Sequence, residues 1–346
     1  MCRFSCPVAE ADARETLTPW GKMSAPFLAA RGGMALETAF ETSWACTGCG
    51  HCTEYCLHEN DVGSALAGLR AAGVAAGIAS PVSARVKAAF DKAGNPTGKP
   101  LSTALRDIVP AALRDDDASI VFLPGCTAAI DEPASVRAAM KVIEKLGPHG
   151  VGVPGDGACC GSALYWAGLP DRFDEHARGF VKAFGRRKTI VVADASCTWT
   201  LRELYPSRGH TMKAQVLHVS EWLAGFIRER VLKARTKIPG RFLYHDPCWL
   251  ARKLDVTDEP RAVLSAIVAD GAGEFAWNRR DTMCCGAGAL LPETMPETSA
   301  RMCATRADEA AAAGATIVTS CPGCLHRFRE SGADAVSFLS LVAKAL

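Results

Sequence analysis

One cysteine signature occurs twice in this chain. Each copy has a Cys closing a short apolar run, a Cys-Cys-Gly triplet some thirty-odd residues on, and another Cys about as far again. The first copy is Cys126, Cys159-Cys160-Gly161 and Cys197; the second is Cys248, Cys284-Cys285-Gly286, Cys321 and Cys324. The matching positions are offset by 122, 125 and 124 residues, which reads as one duplicated domain and not as a solenoid. Adjacent cysteines are poor structural filler. A repeated set of them points to a metal cofactor, with iron–sulfur redox chemistry the first reading.

The residues around the signature predict its setting. From about Ala118, ASIVFLPGC reads as a buried strand, EPASVRAAMKVIEKLG as an amphipathic helix, and VGVPG as a second strand. The DEHARGFVKAFGRR region reads as another helix and TIVVADASC as a third strand. GRFLYHDPC, EPRAVLSAIVADG, GEFAWNRR, MPETSARMCATRADEAAAAG and ATIVTSCPGC repeat that order. Strands alternating with helices predict parallel β–α–β units, so the class is α/β. Cys126, Cys197, Cys248 and Cys321 each fall just past a strand's carboxyl end, the edge at which parallel sheets gather their ligand loops. The cysteines of each copy are therefore expected to converge on one pocket per repeat.

Residues 1–112 read as mainly helical, interrupted by a cysteine-rich tract and ending near the turn cluster NPTGKP. That tract, Cys46-x-x-Cys49-x-x-Cys52-x-x-x-Cys56, is the bacterial ferredoxin run, with Leu57 where a proline usually follows. In two-cluster ferredoxins the first three cysteines of a run hold one cluster and the fourth crosses to the other. Cys6-Pro7 looks like such a crossing residue, so Cys6, Cys46, Cys49 and Cys52 are the expected ligands of one [4Fe–4S] cluster. Cys56 and Cys2 would serve another that lacks two ligands, and the expectation is that the chain begins too late, either by a misassigned start codon or by genuine truncation. A zinc-knuckle or metal-free reading of the run is weaker.

Cys, Cys-Cys-Gly and Cys-x-x-Cys in duplicate, with HDPC (His245–Cys248) and SCPGC (Ser320–Cys324), resembles the cysteine-rich CCG domain of the B-type and D-type subunits of heterodisulfide reductase. The same domain occurs in iron–sulfur subunits of glycolate, lactate, glycerol-3-phosphate and dimethylglycine oxidation. The resemblance covers about residues 118 to 346. It implies a noncubane [4Fe–4S] cluster on Cys248, Cys284, Cys285, Cys321 and Cys324. The first copy departs from the pattern: Thr200 stands where spacing from Cys197 expects the fifth Cys. Cys126, Cys159, Cys160 and Cys197 remain for a second cluster or a zinc ion, with a metal-free remnant as the alternative. The expected architecture is a helical ferredoxin-like domain (1–112), a degenerate CCG domain (113–238) and a complete one (239–346), each CCG domain built on a parallel sheet.

The implied role is an iron–sulfur electron-transfer subunit, relaying electrons between a flavoprotein dehydrogenase or electron-transfer flavoprotein and a disulfide or quinone-type acceptor. Catalytic disulfide reduction at the CCG cluster is the rival reading, and a zinc-stabilised assembly protein a third. Near-balanced charge, 39 basic against 37 acidic residues, gives no reason to expect nucleic acid or an anionic membrane as partner. The most apolar stretch, from Ala71, is broken by Pro81 and Arg85 and does not span a bilayer, so membrane contact is expected only through a partner. Sixteen cysteines and an N-terminus without an apolar core fit a reducing compartment, the cytoplasm, better than an exported disulfide scaffold. Neither a dinucleotide-binding glycine fingerprint nor a Walker loop occurs.

Other residues read more plainly. His245 and His326 flank the C-terminal cysteines and read as hydrogen-bond donors around the cluster, or as proton carriers. Arg279 and Arg280 read as a solvated loop pair, Asp156 as a turn residue, Cys303 as a small buried hydrophobe, His51 as exposed and Trp20 as core packing. RETLTPWGKM, which follows Cys6, resembles phrases of the same iron–sulfur subunits without an evident physical reason.

Overall fold

The β-branched runs form two four-stranded parallel sheets in the computed structural model, which describes residues 2–147, 150–155 and 157–346. The first sheet comprises β1 (Ile120–Leu123), β2 (Val151–Gly152), β3 (Thr189–Val192) and β4 (Gln215–His218), in the order β2-β1-β3-β4. The second comprises β5 (Phe242–His245), β6 (Gly273–Glu274), β7 (Thr316–Thr319) and β8 (Ala335–Ser337), in the same order, β6-β5-β7-β8. Central strands such as β3, buried at every residue, need apolar side chains on both faces because helices cover both sides of a parallel sheet. Three strands per repeat were legible; β4 and β8 are additional. GEFAWNRR contributes only the two residues of β6, and its remainder turns through a 3-10 segment at Arg279–Asp281.

The additional strands lead into helices Val219–Arg228 and Phe338–Ala345, and these build the contact between the sheets. Helix Val219–Arg228 of the first repeat packs on Asp258–Ile267 of the second, while Phe338–Ala345 of the second packs on Pro133–Leu146 of the first. The exchange is reciprocal, as in an isologous dimer, but within one chain.

Among the described residues, no strand precedes β1. Helices there begin at side-chain caps: Thr18, Asp61 and Ser80 accept from the amides of Gly21, Ser64 and Ser83. Arg70, fully buried on helix Val62–Ala75, joins this part to both repeats. Its guanidinium donates to the carbonyls of Ser43 and Cys46, to Trp166 in the first repeat and to Ala289 in the second, and lies 4.5 Å from the Trp44 ring centre. Burial draws its pKa down to about 10, so the group stays charged at neutral pH.

Candidate metal centre

The carboxyl ends of both sheets face one cavity of about 320 Å³. Cys126, Cys159, Cys160, Cys197, Cys248, Cys284, Cys285, Cys321 and Cys324 all line it. The expectation of one pocket per repeat is therefore corrected: the reciprocal helix packing apposes the two carboxyl edges, and the two thiol sets share one space. Trp166, Trp199 and Trp249 pack beside it with ring centres 5.2 to 6.1 Å apart, shielding the thiols from water. Arg85 and Glu293, paired at 2.6 Å, also border the cavity.

Within each repeat the sulfurs adopt the same pattern. Cys160 Sγ lies 2.9 Å from Cys197 Sγ, and Cys285 Sγ lies 3.2 Å from Cys324 Sγ. Cys248 Sγ is 3.8 Å from Cys284 Sγ. The amides of Gly161 and Gly286 donate to Cys159 and Cys284, each at 3.4 Å. The second cysteine of each pair is the better thiolate: Cys160 is drawn down by hydrogen bonds from Cys159 and Cys197, and Cys285 by those from Cys284 and Cys324. Contact with neighbouring thiols, and then burial, push Cys159, Cys197, Cys248 and Cys324 up. His245 is buried beside this set, with a ring nitrogen and the sulfurs of Cys285 and Cys324 all within 4.8 Å of one another. Neither of its nitrogens has a hydrogen-bond partner among the described residues.

Thr200 is not the missing ligand. It is buried in a π-helical turn, Thr200–Leu204, its hydroxyl donates to the Ser196 carbonyl at 2.8 Å, and it does not line the cavity. Strand register explains why spacing misled. Ile120 of β1 pairs with Thr189, and Phe242 of β5 pairs with Thr316, so β3 superposes on β7 with Val192 on Thr319. Continuing two residues places Asp194 on Cys321; continuing five places Cys197 on Cys324.

The ferredoxin-run cysteines gather separately. Cys6, Cys46, Cys49 and Cys52 line one small pocket, while Cys2 and Cys56 do not. Lys22 enters the same pocket, 1% exposed, with Nζ 3.3 Å from Cys6 Sγ. Lys22 belongs to RETLTPWGKM, so that phrase carries a buried amine into the four-thiol pocket; no spacing rule pointed to it. Amides of Asn60 and His58 lower the thiol pKa of Cys56.

The four-thiol pocket lies against the nine-thiol cavity. Cys49 and Cys284 are near enough for each to perturb the other's thiol, and Cys284 also faces Cys248 and Cys285. Arg252, just past Cys248, donates from Nε to the Cys49 carbonyl at 2.9 Å. Two glycines permit this approach. A Cβ on Gly288 would lie 2.4 Å from the Thr47 carbonyl oxygen, and one on Gly48 would lie 2.6 Å from the Trp166 ring.

The remaining assignments divide. Arg280 is no free loop residue: it pairs with Glu54 at 2.8 Å and Asp255 at 3.0 Å, tying the second repeat to the ferredoxin run. Arg279 pairs with Asp258, and its amide donates to Asp246. His51 is buried against Tyr55 and Trp277, contrary to the exposure expected of it, and Trp20 is 67% exposed instead of in the core. His326 sits between Glu132 and Glu330. Cys303 is buried as read, its thiol directed at the Arg327 carbonyl and the Ser331 hydroxyl. Asp156 lies outside the described residues.

All sixteen cysteines are free, and thirteen of them converge in two buried sites with sulfurs as close as 2.9 Å. Soft thiolate donors in this number suit iron–sulfur clusters or zinc, and a bound cation would offset the cost of burying several thiolates together. The donor chemistry therefore fits the group that the ferredoxin run and the duplicated signature imply.

Comparison with known proteins agrees. The family model described as "Cysteine-rich domain" (CCG) matches residues 120–202 and 242–329, one match per sheet, and that described as "4Fe-4S dicluster domain" matches residues 1–60. The chain is 32% identical over 253 residues to the D subunit of the dihydromethanophenazine:CoB–CoM heterodisulfide reductase of Methanosarcina barkeri, covering 69% of this chain and 62% of that protein. It is 29% identical over 293 residues to the B subunit of the fumarate reductase (CoM/CoB) of Methanothermobacter marburgensis, covering 84% and 58%. It is 29% identical over 221 residues to the EtfAB:quinone oxidoreductase of Syntrophomonas wolfei, covering 58% and 29%. The chain thus spans less than two thirds of the length of each. With a CCG match on each sheet and a [4Fe–4S] match on the ferredoxin run, the chain belongs to the CCG-domain iron–sulfur proteins, of the kind found as D-type and B-type subunits of heterodisulfide reductase.

Proposed function

We propose that the chain is an iron–sulfur electron-transfer subunit of a heterodisulfide-reductase-like oxidoreductase, relaying electrons between a flavoprotein partner and a disulfide or quinone-type acceptor. The close approach of Gly288, on the nine-thiol cavity, to the Thr47 carbonyl, on the four-thiol pocket, carries this reading, because it sets the two thiol sites against each other with Cys49 near Cys284. Cys6, Cys46, Cys49 and Cys52 would hold a ferredoxin-type [4Fe–4S] cluster, and Cys248, Cys284, Cys285, Cys321 and Cys324 a noncubane one. Cys126, Cys159, Cys160 and Cys197 would hold a second CCG cluster, with zinc the alternative there. Such clusters, when bound, supply one-electron carriers whose potentials follow burial, hydrogen bonding and nearby charge. The chain supplies those conditions through Lys22 at Cys6, the amides of Gly161 and Gly286, and the tryptophans that exclude water.

The partner assignment draws on the names of the relatives, one acting with EtfAB and quinone, others as subunits of heterodisulfide or fumarate reductases. We divide the chain at 1–112, 113–238 and 239–346. No helix among the described residues is long and apolar enough to cross a membrane. Free thiols in this number need a reducing compartment, so a cytoplasmic location, with membrane contact through a partner, goes with the reading.

A second reading, catalytic disulfide reduction, is favoured by the cavity itself: about 320 Å³ shared by both thiol sets and bordered by Arg85 and Glu293. Its balance is one disulfide plus two electrons and two protons giving two thiols, the electrons arriving from the flavoprotein. Anaerobic purification with iron, zinc and acid-labile sulfide counts, and EPR of oxidised and reduced protein, tests both readings. Iron and sulfide with a reducible signal are expected; zinc without either would overturn both. Reductase activity with an artificial donor separates them, since normal electron uptake with no activity on any disulfide leaves the relay.

A further inference from the structure

In the second repeat, Cys321 ends the strand-to-helix turn after β7 and occupies the N-cap position of helix Pro322–Glu330, without a side-chain cap hydrogen bond. In the first, Asp194 occupies the same place, two residues beyond β3 and capping helix Ala195–Trp199. Register, cap position and sulfur contacts give this correspondence independently, because the Cys160–Cys197 pair matches Cys285–Cys324 and leaves Cys321 without a thiol counterpart. Asp194-Ala-Ser-Cys197 thus stands where Cys321-Pro-Gly-Cys324 stands, and the first repeat has four thiols and a carboxylate.

Asp194 is 6% exposed and lines the cavity. Its Oδ1 accepts from the amides of Ser196 (2.9 Å) and Cys197 (3.0 Å) and from the Ser196 hydroxyl (2.5 Å). Its Oδ2 meets only the thiol of Cys321, at 3.9 Å, and the group has no ion pair among the described residues. A buried carboxyl oxygen with so little on it lacks the cation that a buried carboxylate normally has. The Cys321 contact also sets the two donor sets against each other, edge to edge.

We propose that Asp194 is the fifth donor of the first repeat's cluster, in the place that Cys321 takes in the second. The proposal rests on reading both repeats as cluster sites. A carboxylate is a harder donor than a thiolate, so it distinguishes the iron it binds from its all-thiolate neighbours. The first repeat is then not degraded but differentiated: two clusters on one cavity with unequal ligation.

The test uses the full chain, purified anaerobically, as wild type, Cys197→Ser, Thr200→Ala, Asp194→Asn and Asp194→Cys. Asn keeps an acceptor for the helix cap while removing the anion, and circular dichroism checks that each variant folds. Iron and sulfide counts, Mössbauer spectra and EPR are the readouts. Thr200→Ala should match wild type. Asp194→Asn should lose iron from the first repeat or change that repeat's Mössbauer and EPR components, leaving those of the second. Asp194→Cys should retain the iron and bring the first repeat's spectrum towards the second's. Wild-type iron, sulfide and spectra in Asp194→Asn, where Cys197→Ser lowers the iron count, would overturn the assignment of Asp194 alone. An iron count unchanged by Cys197→Ser would overturn the cluster reading of the first repeat, and the proposal with it.

Discussion

The ammonium of Lys22 lies 3.3 Å from Cys6 Sγ, with both residues buried in the four-thiol pocket. Reduction of a thiolate-ligated cluster adds negative charge, and a buried cation beside it stabilises the reduced form. Lys22→Met should therefore lower the midpoint potential of the ferredoxin-type centre, by on the order of 50–150 mV for a charge at this range. Lys22→Arg should restore part of the shift. Redox titration followed by EPR measures it, and an unchanged potential in Lys22→Met would remove the charge argument.

Gly288 packs against the Thr47 carbonyl with no space for a Cβ. Gly288→Ala should force the ferredoxin loop away from the second repeat and move Cys49 away from Cys284. The expected cost is about 1–3 kcal/mol of overpacking, seen as a lower Tm. The more telling effect is kinetic: the ferredoxin-type centre should still reduce, while reduction of the second repeat's centre slows. Rapid-freeze EPR after mixing with a reductant would show whether the two events separate.

His245 lies against Phe275 and Phe328, its ring nitrogens without partners near the sulfurs of Cys285 and Cys324. As a donor to cluster sulfur it would favour the reduced state. His245→Phe suits the apolar surroundings and should preserve the fold while making the second repeat's centre harder to reduce. The ferredoxin-type centre should keep its potential, and an equal shift in both would point to a general structural effect.

His218 predicts an acid sensitivity, with its ring buried against the backbone of Ala193 and Ser320, one residue before Asp194 and Cys321. Its Nδ1 accepts from the Ser220 amide and caps helix Val219–Arg228 while the ring is neutral. Burial lowers its pKa from 6.5 to about 4. The unfolded chain therefore binds a proton more readily than the folded one between those values. The stability is fully present above about pH 6.5 and is lost as pH falls towards 4, by up to about 3 kcal/mol. His218→Asn, which keeps a capping acceptor and does not titrate, should flatten that part of the stability-against-pH curve in urea titrations.

Much of the molecule was legible in its residues. The central strands and their following helices were readable because β-branched runs and amphipathic periods are local signals, as in TIVV before Cys197 and TIVT before Cys321. The ferredoxin run was readable because its spacing is short. The edge strands β4 and β8 were not, since four or fewer partly exposed residues carry little periodicity. Lys22 was not, because sixteen residues of helix and turn bring it back to Cys6.

By itself the sequence determined that the chain is a duplicated α/β unit preceded by a helical ferredoxin-like segment, and it singled out thirteen cysteines as candidate metal donors. Adjacent cysteines at strand ends allow few other readings. Only the tertiary structure decided that the two sets share one cavity, that Cys49 lies near Cys284, that Asp194 stands opposite Cys321, and that Cys197, not Thr200, stands opposite Cys324. Those relations come from helices of one repeat packing on helices of the other and from hydrogen-bond register between strands. Both act between residues far apart in the chain, where spacing along the sequence carries no information about direction.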